Sequence, residues 1–268
     1  MTRLTVMNGD VALSCRVDHD PDPAAPTIVF ANSLGTHLHL WDLIIPHLPD
    51  DLRIIRYDMR GHGQSDVPKP PYTMGSLVSD AEAVCDHFDV KDALFVGLSV
   101  GGMVAQGLAV KRPDLIRSVV LSNTAAKIGN PKLWDDRIAA VTEGGMETLA
   151  DATMDRWFGR DFVKSPSIEP WRAMFLATPP DGYAGICAAI KGTDFYTPTS
   201  GLRIPTLGIA GSEDGATPPD LVRETVDLIP GSQFVLMRRA GHLPCAEMPE
   251  AYAAHLRDFL EATGHMAI

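Results

Sequence analysis

The chain has 268 residues, enough to bury one sizeable core, and its 45% hydrophobic and 21% charged content is that of a globular protein rather than a disordered or fibrous one. Acidic side chains outnumber basic ones by 34 to 23, a formal net charge of -11, which speaks against nucleic acid as a partner and means that an anionic substrate needs a locally placed cation. The four cysteines, Cys15, Cys85, Cys187 and Cys245, are far apart and lack CxxC or zinc-ligand spacing, so free thiols in a reducing, cytoplasmic setting are expected, with no metal site.

The opening segment, Met1 to Asp20, lacks the apolar run of a signal peptide. Arg3 to Met7 and Val11 to Val17, separated by Asn8-Gly9-Asp10, predict a β-hairpin. Six short apolar runs rich in β-branched residues follow: Thr27 to Ala31, Leu52 to Tyr57, Ala93 to Val96, Ile116 to Leu121, Pro205 to Ala210 and Gln233 to Met237. Runs of this kind suit strands covered on both faces. Between them, Met74 to Phe88, Gly101 to Lys111, Leu221 to Ile229 and Glu250 to Leu260 have helical spacing. The alternation predicts an α/β protein with a mostly parallel, eight-stranded sheet flanked by helices.

Ala93 to Val110 is nearly free of charge over about the length of a bilayer span. Its four glycines, Ser99 and Gln106 favour a strand, a sharp turn and a buried helix instead, so no membrane contact is expected. From Asn123 to Phe195 the alternation stops. Helical patterns at Trp134 to Val141, Gly145 to Trp157, Pro170 to Leu176 and Tyr183 to Ile190 predict a helical cap, residues 123–195, inserted into a core made of residues 1–122 and 196–268.

The chemistry is concentrated where predicted strands end. Gly97-Leu98-Ser99-Val100-Gly101 is a G-x-S-x-G string between a strand and a helix, the setting of a nucleophile elbow, in which glycines on either side let strand and helix approach. A serine hydroxyl needs a base, and the base an orienting acid, expected in the order Ser, acid, His. After the strand ending at Ala210 comes Gly211-Ser212-Glu213-Asp214-Gly215, which offers Asp214, with Glu213 as the alternative. After the strand ending at Met237 comes Gly241-His242, which offers the base. His62 lies in a turn and is expected to be structural, whereas His37 and His39 could at most line the pocket. For a developing oxyanion, the Val100 N–H is one donor, and the loop Asn32-Ser33-Leu34-Gly35 supplies the second, assigned to the Leu34 N–H with Ser33 one residue out of register.

The elbow, Tyr57 to Ser65 (YDMRGHGQS), the Asp214 loop and Gly241 to Glu250 (GHLPCAEMPE) resemble the α/β-hydrolase superfamily across nearly the whole chain. Within the insertion, Ser122 to Gly129, Trp134 with Arg137, Gly145-Met146, Arg156-Trp157-Phe158 and Gly182 to Ile190 resemble the 3-oxoadipate enol-lactonases of aromatic catabolism. Val100 departs from the methionine expected after the serine. The resemblance implies a small anionic lactone as substrate, a monomer or homodimer, and no cofactor. Trp134 and Arg137 lie three apart on one predicted helical face. Spacing alone favours a core tryptophan beside a surface arginine, and the resemblance reverses that preference, making the pair a clamp for a substrate carboxylate.

Overall fold

In the computed structural model, which describes residues 3–19, 22 and 25–266, eight strands form one sheet. The strands are β1 (Leu4–Asn8), β2 (Val11–Asp18), β3 (Thr27–Ala31), β4 (Arg53–Tyr57), β5 (Ala93–Leu98), β6 (Ile116–Ser122), β7 (Thr206–Gly211) and β8 (Gln233–Met237). They run in the order β1-β2-β4-β3-β5-β6-β7-β8. The β1–β2 and β2–β4 pairs are antiparallel, and every pair from β4 onwards is parallel. The central strands β3, β4, β5 and β7 are buried at every position, as strands covered on both faces are, and this includes Arg53 and Arg56 of β4. Burying each Val, Ile, Leu or Phe there contributes about 1.5–3 kcal/mol. The edge strand β8 is mostly half-exposed.

Helices α1 (Met74–His87), α2 (Val100–Lys111), α3 (Pro131–Gly144), α4 (Glu147–Trp157), α5 (Glu169–Leu176), α6 (Pro180–Lys191), α7 (Tyr196–Ser200), α8 (Pro219–Asp227), α9 (Pro244–Glu247) and α10 (Pro249–Ala262) complete the framework. Several starts are marked by local chemistry. Thr73 and Ser76 form a reciprocal capping box at α1, and the Asn130 side chain accepts from the Leu133 N–H at α3. Helix α2 is buried on nearly every side, which explains the membrane-like composition of Ala93 to Val110. Helices α3 to α6 occupy the segment where alternation fails. The hydrophobic core runs from the sheet into them without a break, through Trp134, Met154, Trp157, Phe175 and Tyr183. Helices α7 and α9 are too short to show a period and were not expected from the pattern.

This topology positions the site. The chain passes from β3 to β4 on one side and returns past β3 to β5 on the other, so the loops leaving β3 and β5 diverge and open a crevice at the carboxyl ends of the strands. Ser99 is the residue that turns β5 into α2, and it holds φ 59° and ψ -119°. That conformation is costly for a residue with a side chain and persists only when its surroundings enforce it. They do so by close approach. A Cβ on Gly97 would lie 2.2 Å from the Gly101 carbonyl oxygen, and one on Gly101 would lie 2.2 Å from that of Ala31. Gly97→Ala or Gly101→Ala is therefore expected to destabilise the fold by about 3 kcal/mol through overpacking against backbone, measured as a lower urea midpoint; an unchanged midpoint would show that the turn has slack.

Candidate active site

Five consecutive parallel strands deliver residues to the same edge. Ser99 follows β5, Asn123 follows β6, Asp214 follows β7, His242 follows β8, and Ser33 and Leu34 follow β3. Asp214 is the most heavily engaged of them. Its Oδ2 accepts from His242 Nδ1 at 2.8 Å, Thr217 Oγ1 at 2.8 Å and Asn123 Nδ2 at 2.9 Å, while Oδ1 accepts from the Ala216 and Thr217 N–H groups at 2.7 and 3.0 Å. Burial pushes this carboxyl up, but the charge and hydrogen bond of His242, with those of Asn123 and the Thr217 N–H, outweigh burial and leave it below its ordinary value. An ionised acid at Nδ1 fixes the imidazole with a proton on that nitrogen and leaves Nε2 free to accept another. The alternative acid, Glu213, turns away and accepts from Arg160 Nε at 2.8 Å.

Ser99, His242, Ser33 and Leu34 line one cavity of about 60 Å³, walled by Trp134 and Arg137 of α3, Arg156 and Trp157 of α4 and Tyr183 of α6. The helix N-terminus behind Ser99 leaves the Val100 N–H without an intrahelical partner. In the β3 loop the Gly35 N–H is already committed, donating to His62 Nε2 at 2.9 Å, so the N–H groups still open towards the cavity are those of residues before it. The loop is also held by Trp41 Nε1 on Asn32 Oδ1 at 2.7 Å and by Asn32 Nδ2 on the Tyr57 carbonyl at 2.7 Å. His62 is thus a buried support. Burial lowers its pKa to about 4, which keeps Nε2 an acceptor at neutral pH.

Trp134 and Arg137 both reach the cavity from α3. The Trp134 indole is buried and donates from Nε1 to the Ile128 carbonyl at 2.7 Å, and the Arg137 guanidinium carbon lies 4.8 Å from the centre of that ring. Arg137 is half-buried on the cavity wall rather than fully at the surface. A second guanidinium, Arg156 of α4, lines the same space and donates to Thr153 Oγ1 at 2.8 Å. Burial, and then the neighbouring charge of Arg137, hold Arg156 below its ordinary pKa. Among the described residues, neither arginine is within salt-bridge distance of a carboxylate.

His37 and His39 do not line this cavity. The Leu38 N–H donates to Asp58 Oδ1 at 2.7 Å, which turns the chain into the short helical turn Leu38–Trp41 and carries both rings to a separate cavity of about 300 Å³ with Cys15, Asp58 and Thr178. The expectation that they could reach the pocket is corrected on that ground. Sequence reasoning also missed Asn123, Thr217, Tyr183 and Arg156. Asn123 had a usable signal, since it directly follows a central strand. Arg156 stood in a segment noted only for its resemblance.

The alpha/beta hydrolase fold family matches residues 26–249. The chain belongs to this family. It is similar to 3-oxoadipate enol-lactonase 2 of Acinetobacter baylyi, with 35% identity over 92% of this chain and 92% of that protein. A second enol-lactonase of the same organism is 35% identical over 89% of this chain and 90% of that one. Among solved structures, the enol-lactonase from Burkholderia xenovorans LB400 superposes with a TM-score of 0.91 at 37% identity, covering 97% of this chain and 99% of that one. No described helix is long and apolar enough to cross a membrane.

The His62 contact makes a two-sided prediction. The folded chain refuses a proton that unfolded His62 takes up, so stability is lost as pH falls from 6.5 towards about 4. His62→Gln keeps an acceptor for Gly35 and does not titrate, so urea unfolding should show a shallower loss over that range. His62→Phe strands the N–H and should cost about 1–3 kcal/mol near neutral pH, a deficit that narrows towards pH 4 because the phenyl ring takes up no proton in the unfolded chain. Equal stability profiles for wild type and both variants would rule out the support role.

Proposed function

We propose that the chain opens the ring of 3-oxoadipate enol-lactone with water to give 3-oxoadipate, using Ser99 as nucleophile, His242 as base and Asp214 as orienting acid. The observation that carries the reading is the pair of guanidinium groups, Arg137 and Arg156, without carboxylate partners in the cavity that also holds Ser99 and His242. Half-buried cations cost free energy unless an anion joins them, so the site is prepared for a substrate that brings its own carboxylate. The enol-lactonase names of the relatives agree with this substrate. A cavity of about 60 Å³ favours a compact ring over a long acyl chain. In this reading residues 123–195 are a cap over the core of residues 1–122 and 196–268, and its role is to supply the substrate-binding wall.

Catalysis begins when the Ser99 hydroxyl closes onto His242 Nε2 and loses its proton as Oγ attacks the lactone carbonyl. The developing oxyanion sits between the Val100 N–H at the start of α2 and the Leu34 N–H, where the positive end of the helix adds to the two hydrogen bonds. The imidazolium, stabilised by the ionised Asp214, returns the proton to the departing enol oxygen. An enol leaves more readily than an alkoxide, and its tautomerisation to a ketone prevents the tethered leaving group from closing the ring again. Water deprotonated by His242 then releases the acid from Ser99. The residues hold all the proton transfers, and Trp134 packs the Arg137 guanidinium so that the carboxylate meets a fixed donor.

The test is turnover of the enol-lactone by purified protein beside a neutral aryl ester. Arg137→Ala and Arg156→Ala should each raise KM for the enol-lactone by about 10- to 100-fold, the worth of a charged hydrogen bond, and leave the neutral ester nearly unchanged. Ser99→Ala should abolish both. Aryl-ester turnover with no gain from a substrate carboxylate, or equal losses on both substrates in the arginine variants, would replace the lactonase reading with that of a general carboxylesterase.

A further inference from the structure

The loops that carry Asp214 and His242 are joined to the last residues of α4 and the segment that follows it. The His242 N–H donates to the Trp157 carbonyl at 2.7 Å, and the Gly215 N–H to the Arg156 carbonyl at 3.1 Å. The next N–H groups of that segment meet acids: Gly159 donates to Glu247 Oε2 at 3.0 Å, and Arg160 to Glu213 Oε2 at 2.7 Å. Glu247 reaches back with its other oxygen, Oε1, which accepts from the Gly241 N–H at 2.6 Å, one residue before His242. The joint is tightly built. A Cβ on Gly241 would lie 2.5 Å from the Trp157 carbonyl oxygen, and one on Gly159 would lie 2.4 Å from that of Arg239.

We propose that Glu247 is a positioning residue for His242, clamping the histidine loop to the segment after α4, and that it does so only as a carboxylate. The reason is donor and acceptor chemistry. Two N–H groups approach two different oxygens of one side chain, and only the ionised carboxylate presents a full, charged acceptor at both. A protonated carboxyl, or an amide, places a donor against one of them. Burial, and then the charges of Glu213 and Asp214, hold this carboxyl up at about 7 against the lowering effect of the Gly241 and Gly159 N–H groups. The other groups facing the joint are the Arg160 guanidinium and Arg239, which both act on Glu213, and the buried Cys245 thiol. As pH falls through about 7, Glu247 takes up a proton, the clamp opens and the imidazole loses its register with Ser99.

The inference rests on the Ser99–His242 reading above but not on the lactone, so the test uses a fluorophosphonate probe and measures the rate of Ser99 labelling against pH. In the wild type, labelling on the acid side should fall with the uptake of one proton more than in Glu247→Gln, the extra one on Glu247. Glu247→Gln should label roughly 10- to 100-fold more slowly above pH 7 and lose activity with a single proton. Glu247→Asp, which keeps an acceptor-only group, should recover the second proton. A one-proton acid limb in the wild type overturns the proposal even if no variant folds, as does a Gln variant with wild-type rate and profile. Failure of the wild type to label at all would instead overturn the Ser99 nucleophile reading, and this proposal with it.

Discussion

Everything at the carboxyl edge of the sheet depends on how closely α2 can lie against β3 and β5. With hydrogen atoms at Gly97 and Gly101 in place of methyl groups, the backbone of the turn rests directly on the Ala31 and Gly101 carbonyls. Ser99 is thereby driven into a positive φ that no local preference would select. The same approach sets the first N–H of α2 opposite the loop leaving β3. A looser turn would relax the serine and separate the start of α2 from the loop leaving β3 together.

Around that turn, side chains outside the cavity do as much as those that line it. Asp214 is saturated by five donors, so its position is specified from four directions, and only one of the five is the histidine it serves. The segment Tyr57 to Ser65 supports the β3 loop from behind. His62 receives the Gly35 N–H, and Asp58 receives those of Leu38 and Gln64. The two loops are therefore one hydrogen-bonded unit, although 27 residues separate Gly35 from His62.

The strands and the sharp strand-to-helix turn at Ser99 are readable from sequence because each is a local pattern. Thr27 to Ala31 and Gln233 to Met237 form strands over those bounds, and α3, α5 and α6 enclose the stretches that show a helical period, whereas α4 begins two residues inside its stretch because Gly145 closes α3 and Met146 precedes the first turn of α4. Ser99, Asp214 and His242 stand out as candidates because each lies in a glycine-marked turn just past an apolar run. Arg156 and Tyr183 do not, since what brings them to Ser99 is the packing of α4 and α6 against one another's neighbours, a fact of tertiary structure without local signature. His37 was misjudged for the same reason: a carboxylate 21 residues away turns its loop. The four thiols are unpaired, as their spacing predicts, and all are buried.

The joint between α4 and the two loops bears on how such proteins diversify. An inserted helical segment is the natural place to change a binding wall while leaving the chemistry alone. Here the segment that presents Arg156 also supplies the carbonyls and N–H groups on which the Asp214 and His242 loops rest. A foreign insertion grafted between β6 and β7 would have to reproduce those backbone contacts as well as a pocket. Substrate range in this scaffold should therefore shift more readily through point changes on α3, which carries Arg137 and Trp134 and takes no part in the joint, than through exchange of the whole insertion.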